Sequence, residues 1–124
     1  MNVNKKGNIG LIKVMADLYD KGYHCFTPFD DYCPVDLIVL DKTGNVKRLQ
    51  VKYRSIDEKR NRYELSARSV VNGKSMPIDR SLIDGWAVYL ADEDKVVYLS
   101  IDIMEGKGVH YIKPGTFEEY GGVP

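Results

Sequence analysis

Two apolar runs split by a short polar break constrain this chain more than any other feature. Pro34-Val35-Asp36-Leu37-Ile38-Val39-Leu40 and Val46-Lys47-Arg48-Leu49-Gln50-Val51-Lys52-Tyr53 flank Asp41-Lys42-Thr43-Gly44-Asn45. β-branched and apolar runs on either side of a Gly/Asn/Asp break predict a hairpin. Strand alternation puts Arg48, Gln50 and Lys52 on one face and Leu49, Val51 and Tyr53 on the other. In the first strand, Asp36, Ile38 and Leu40 lie opposite Val35, Leu37 and Val39. A register that sets Asp36 beside Gln50 and Lys52 brings a carboxylate, an amide oxygen and an ammonium to one end of an apolar sheet. Such a set can hold a divalent cation and a phosphate. The plainer reading is a solvated ribbon face, with Asp36 capping a turn.

A chain of 124 residues with 44% hydrophobic content is long enough for one folded domain with a real core. The expected core spans about residues 5–104, with 105–124 a fraying tail, because Gly and Pro crowd its end. Eighteen basic residues balance eighteen acidic ones. A nucleic-acid partner would therefore need a local basic face. The polar start and the lack of any long apolar run predict neither a leader nor a membrane span, and a cytoplasmic setting. Cys25 and Cys33 read as free thiols; with His24 they fit no common zinc spacing.

In chain order, Asn8 to Lys21 is predicted as a helix with Asn8 as N-cap and Gly22 ending it. Ile9, Ile12, Met15 and Tyr19, with Leu11, Val14 and Leu18 beside them, form its apolar stripe; Lys13, Asp17, Asp20 and Lys21 form the wet side. Tyr23 to Thr27 is a short strand, and 28–33 a loop into Pro34, where the paired strand opens. Arg54 to Arg62 is a charged loop, Tyr63 to Arg68 a strand, Val70 to Pro77 a loop and Asp79 to Asp84 a helical turn. Trp86–Leu90 and Val96–Leu99 make a second hairpin, with a short turn at 102–104. That order points to α+β or α/β with one central mixed sheet.

The helix, the short strand, Pro34-Val35-Asp36 opening the next strand and Gln50-Val51-Lys52 in its partner resemble the PD-(D/E)XK nuclease superfamily. Lys6-Gly7-Asn8-Ile9-Gly10 through Gly22-Tyr23 resembles its Holliday-junction resolvase and intron-homing branches. Ile83-Asp84-Gly85-Trp86-Ala87-Val88-Tyr89 with Val97-Tyr98-Leu99 is similar to the C-terminal part of the bacterial group I intron endonucleases. Gln50 departs from the usual Asp or Glu, but that branch also carries glutamine there.

The resemblance implies a restriction-endonuclease-like core, a central mixed sheet flanked by helices. It implies a Mg²⁺- or Mn²⁺-dependent endonuclease acting on double-stranded or branched DNA. Asp36 matches the principal metal ligand, Gln50 the second acidic position, the Val51 carbonyl a third ligand, and Lys52 the lysine at the attacking water and phosphate. Such hard cations take oxygen ligands, polarise phosphoryl groups and acidify bound water, and a nearby lysine steadies developing charge. Lys5, Lys6, Arg54, Ser66, Arg68 and Lys74 are the expected DNA contacts, with Lys59, Arg60 and Arg62 near them. Leu11 stands where the family often has a helix glutamate, and leucine binds no metal. Asp30 or Asp31 could supply a carboxylate instead. One site per chain implies a homodimer or homotetramer for cutting both strands. The alternative class is a DNA-binding or assembly module on a disabled nuclease fold. A weaker one is protein binding through the second hairpin.

Overall fold

A computed structural model describes residues 1–71, 73–104, 108–115 and 122–124, with only the backbone of 69–71. In chain order the elements are α1 (Val3–Asp20), β1 (His24–Phe26), β2 (Leu37–Leu40), β3 (Val46–Arg54), β4 (Tyr63–Ser66), β5 (Arg68–Val71), β6 (Lys74–Pro77), β7 (Gly85–Leu90), β8 (Lys95–Ser100), a 3-10 turn (Ile101–Met104) and β9 (Val109–Ile112).

The central hairpin forms as the sequence predicts. β2 and β3 pair antiparallel, Leu37 opposite Leu49 and Leu40 opposite Val46. Asp41 closes the turn, its Oδ1 accepting from the Thr43 and Asn45 N–H groups at 2.8 and 2.9 Å. Gly44 sits at φ +88°, where a side chain is disfavoured. β3 is the hub of a mixed five-stranded sheet, β1-β2-β3-β7-β8, whose β3–β7 pairing is parallel. The fold is α+β, as expected.

Packing falls into two layers of core. On one face α1 lays Val14 and Leu18 against Leu37, Val39, Leu49, Ala87 and Tyr98. On the other, Tyr63, Leu65 and Ile112 pack on Trp86, Val88, Leu90, Val97 and Leu99. One helix covers the first face. A β4–β9 ribbon and the 3-10 turn, where helices were expected, cover the second. Each fully buried aliphatic side chain contributes about 1.5–3 kcal/mol, so this two-sided burial dominates the stability.

Several local expectations are corrected. The helix starts at Val3: Asn2, in extended conformation, caps it by accepting from the Lys5 N–H at 2.8 Å, so Asn8 lies inside the helix. The apolar pattern begins only at Ile9, which hid the polar first turns. The buried line is Gly10, Val14 and Leu18, whereas Ile12 and Tyr19 are 65% and 78% exposed. Asp17 leaves the wet side because Tyr98 donates to it at 2.5 Å. The residue 70–77 loop is instead half of a β5–β6 ribbon; Asn72 lies outside the described residues. The turn near 79–84 is non-helical. The strand from Pro34 begins only at Leu37, because Pro34 to Asp36 bend. The tail does not fray at Val109–Ile112, which pairs with β4 and fully buries Ile112; its residues 105–107 and 116–121 lie outside the described residues.

Two contacts fix the start of β7, one against β3 and one against β8. Arg48 and Asp84 are bonded through backbone and side chain: the Asp84 carboxylate accepts from the Arg48 N–H at 2.7 Å and from its guanidinium at 3.2 Å, while the Asp84 N–H donates to the Arg48 carbonyl at 2.8 Å. At Gly85 a Cβ would lie 2.2 Å from the Leu99 carbonyl oxygen, so only glycine fits.

Candidate active site

The site arises where β2 runs out alongside β3. The last ladder pair is Leu37–Leu49, and the Asp36 N–H still donates to the Leu49 carbonyl at 3.0 Å. Within a strand, N–H and C=O of one residue point to the same edge. Leu49 and Val51 therefore both present their backbone to the β2 side, and past Leu49 no strand residue meets them. Asp36 fills the first gap: its Oδ2 accepts from the Val51 N–H at 2.8 Å. The Val51 carbonyl faces the same open edge.

Gln50, on the neighbouring face, is 6% exposed and donates through Nε2 to the Pro34 carbonyl at 3.0 Å. That bond holds the bend that carries Asp36. Among the described residues, Gln50 Oε1 is buried without a partner, as is Nε1 of Trp86, its register mate on β7. A buried, unpartnered carbonyl-type oxygen costs about 1–3 kcal/mol.

Electrostatics couple Asp36 to Lys52. Burial raises the Asp36 carboxyl pKa, while the Val51 N–H and the Lys52 charge pull it partly back. Burial also lowers the Lys52 pKa, helped by neighbouring Arg54 and opposed by Asp36. No ion pair among the described residues involves Lys52.

A cleft of about 370 Å³ opens in front of Asp36 and Val51. α1 walls it with Gly7, Asn8 and Leu11, and the loop after β1 with Thr27, Asp30, Asp31 and Cys33. Leu11 thus lines the cleft that Asp36 faces. Asp30 and Asp31 reach the same cleft, although Asp30 Oδ1 already accepts from the Tyr32 N–H at 2.9 Å. Gln50 and Lys52 do not line it. Among the described residues no cluster of three or more His, Cys, Asp or Glu is arranged for a metal. The side-chain oxygens that line the cleft are those of Asp36, Asp30, Asp31, Asn8 and Thr27. They suit a hard cation that keeps several waters.

Of the expected DNA contacts, Lys5 and Lys6 lie on the first turns of α1, beside the cleft wall, with Lys6 Nζ 6.0 Å from the Tyr53 ring centre. Arg54 is turned inward: it donates to the Glu64 and Tyr53 carbonyls, each at 2.9 Å. Ser66 is half-buried in β4, and Lys74 is exposed in β6. Arg68 clamps Ser75 across the β5–β6 ribbon. Sequence reasoning missed Asn8, Thr27 and Cys33 as cleft-lining residues. Asn8 was detectable as the neighbour of Leu11 one helical turn away.

Among the described residues no helix is long and apolar enough to cross a membrane. No curated protein sequence matches the chain. Its structure resembles that of a bacterial homing endonuclease, I-Ssp6803I, with a TM-score of 0.81 and 18% identity, covering 100% of this chain and 85% of that one. The sequence profile of the PD-(D/E)XK endonucleases matches residues 1–114. The strand-end carboxylate at Asp36 and the Gln50-Val51-Lys52 strand beside it lie within that match, and the chain belongs to the PD-(D/E)XK endonuclease family.

Proposed function

We infer that the chain is a divalent-metal-dependent endonuclease that hydrolyses phosphodiester bonds in duplex or branched DNA. The observation that supports this most is the Asp36–Val51 bond at the open edge of β3, with Lys52 in the field of the same carboxylate. Asp36, Gln50 through Oε1 and the Val51 carbonyl would hold Mg²⁺ or Mn²⁺. When bound, such an ion polarises the phosphate and acidifies a water. Asp36 is fixed for this by the Val51 N–H, and Gln50 fixes the preceding bend through Pro34. Lys52, which makes no ion pair among the described residues, would balance negative charge that grows on the phosphate. α1 and the residue 27–33 loop wall the cleft on two sides. Lys5 and Lys6 are the phosphate contacts nearest the site; Ser66, Arg68 and Lys74 would extend them. Cutting both strands takes two copies.

One observation favours the second reading, a DNA-binding or assembly module with a weakened site: Leu11 occupies the α1 wall of the cleft where a carboxylate would strengthen metal binding. The two are separated by incubating supercoiled plasmid and a four-way junction with the chain and Mg²⁺ or Mn²⁺. Metal-dependent nicking of either substrate is expected. Retained DNA binding without any cleavage under either metal would transfer the assignment to the binding module.

A further inference from the structure

The side of α1 that meets β1 carries an open apolar face. Between the two elements lies a groove of about 530 Å³, lined by Met15, Ala16 and Tyr19 of α1 and by His24, Cys25 and Phe26 of β1. Met15 and Cys25 tie it to the core beneath α1, on which both pack. Its rims stand in solvent: Tyr19 is 78% and Phe26 53% exposed, and Ile12, one turn before Ala16, is 65% exposed. Single exposed apolar residues are ordinary, but a contiguous apolar face marks a contact surface. The seam runs on into the Asp36 cleft, which the earlier turns of α1 and the loop after β1 line in the same way. Phe29 and Tyr32 of that loop are exposed as well.

Charge and area point to a second copy of this chain. None of the residues lining the groove is a lysine, arginine, aspartate or glutamate. No lysine or arginine occurs anywhere between Lys21 and Lys42, so β1 and its loop offer no cation to a DNA phosphate. Asp30 and Asp31, the charged residues of the loop, line the cleft instead. An uncharged face meets its own two-fold image without like-charge repulsion. β1 is also an edge strand, paired with β2 alone among the described strands, and it carries neither the lysine nor the proline that commonly blunts an edge. With about 150–250 Å² for a whole aromatic side chain, Tyr19, Phe26, Phe29 and Tyr32 together expose roughly 600 Å² before Ile12 is added. A stable dimer buries about 800 Å² from each partner.

We propose that two copies of this chain associate through the open α1–β1 face, with Tyr19 and Phe26 at the contact. The choice of a second copy rests in part on the endonuclease reading, in which one chain holds one site, whereas the position of the contact rests on the face itself. Because the face adjoins the Asp36 cleft, each cleft of the pair borders the interface.

The test uses the full chain in metal-free buffer without DNA. Sedimentation equilibrium is measured for the parent, for Tyr19→Arg and Phe26→Arg, and for Val46→Arg as a control at an exposed apolar residue of β3. The parent is expected to self-associate at about 0.1 M and at about 1 M salt alike, because salt does not screen an uncharged contact. Tyr19→Arg and Phe26→Arg each place an unpaired charge in the contact and are expected to weaken that association at least about tenfold. Val46→Arg is expected to leave it unchanged. Circular dichroism checks the fold of each variant; if Phe26→Arg unfolds, Tyr19→Arg, on the exposed side of α1, decides. A parent that sediments as a monomer overturns the proposal, as does an association that survives both substitutions. Variants that sediment like the parent but bind duplex DNA more weakly would give the face to DNA and overturn it too. Association lost in both variants of a chain that never cuts DNA would uphold the face and remove the endonuclease reading. A monomeric parent that cuts DNA would do the reverse.

Discussion

Gln50 donates its side-chain N–H to the Pro34 carbonyl at 3.0 Å, and this bond ties the centre of β3 to the bend that presents Asp36. It makes Gln50 a positioning residue as well as a candidate ligand. Gln50→Leu keeps the volume but leaves the Pro34 carbonyl unpaired, so a loss of about 1–2 kcal/mol is expected by denaturant titration. Mg²⁺ affinity, read by calorimetry, should fall with it. Unchanged metal affinity in a folded Gln50→Leu protein would exclude Oε1 as a ligand.

Leu11 occupies the wall of the same cleft as Asp36 and Val51. Leu11→Glu would add a carboxylate there, and affinity for a hard cation rises with ligand charge. Mg²⁺ binding about tenfold tighter, equivalent to about 1.4 kcal/mol, is the expected outcome by calorimetry. A substitution without effect on metal binding would mean that position 11 does not reach the ion.

The Arg48–Asp84 pair predicts an acid sensitivity of the fold. Hydrogen bonding from Arg48 holds the Asp84 carboxyl below the usual carboxylate range, despite some burial. A lowered folded-state value means that the unfolded chain takes up the proton first as pH falls. The pair's contribution is complete above the ordinary carboxylate pKa of about 3.9 and drains away as pH drops through the lowered value. Because Asp84 and Arg48 side chains are 30% and 39% exposed, solvent screening limits the contribution to about 1 kcal/mol. Asp84→Asn should lower stability by that amount at neutral pH, and thermal melts from pH 7 to below pH 3 should run parallel to the parent's above about pH 4 and converge with them below it. Parallel melting curves across that range would rule the pair out as the cause.

What the sequence disclosed and what it hid follow from the range of the interactions. The hairpin from Leu37 to Arg54 and the second hairpin at 85–100 rest on alternation and local turns, so both were visible. The expected neighbourhood of Asp36 was legible in part: Asp36 does bond the Val51 N–H, whereas Gln50 and Lys52 lie off the cleft. The partner of β4 was not visible, because Val109–Ile112 is a short segment more than forty residues downstream, and nothing local announces that pairing. The helix start was misplaced since Asn2 and Asn8 are chemically equal caps, and only three-dimensional placement chooses between them. The β5–β6 ribbon did have a local signal, the Asn72-Gly73 dipeptide, which favours tight hairpin turns. The contributions of Asp30, Asp31 and Asn8 to the cleft depend on where the residue 27–33 loop meets α1, which no pattern within either segment encodes.

The account turns on Lys52, which makes no ion pair among the described residues, acting beside Asp36 on a bound phosphate. Its direct test is the rate of nicking of supercoiled plasmid with Mg²⁺, for the parent and for Lys52→Ala, with DNA binding and melting temperature measured on the same preparations. Parent cleavage with at least a hundredfold loss in Lys52→Ala, at similar binding and stability, is the predicted result. Cleavage by Lys52→Ala at the parent rate would contradict it.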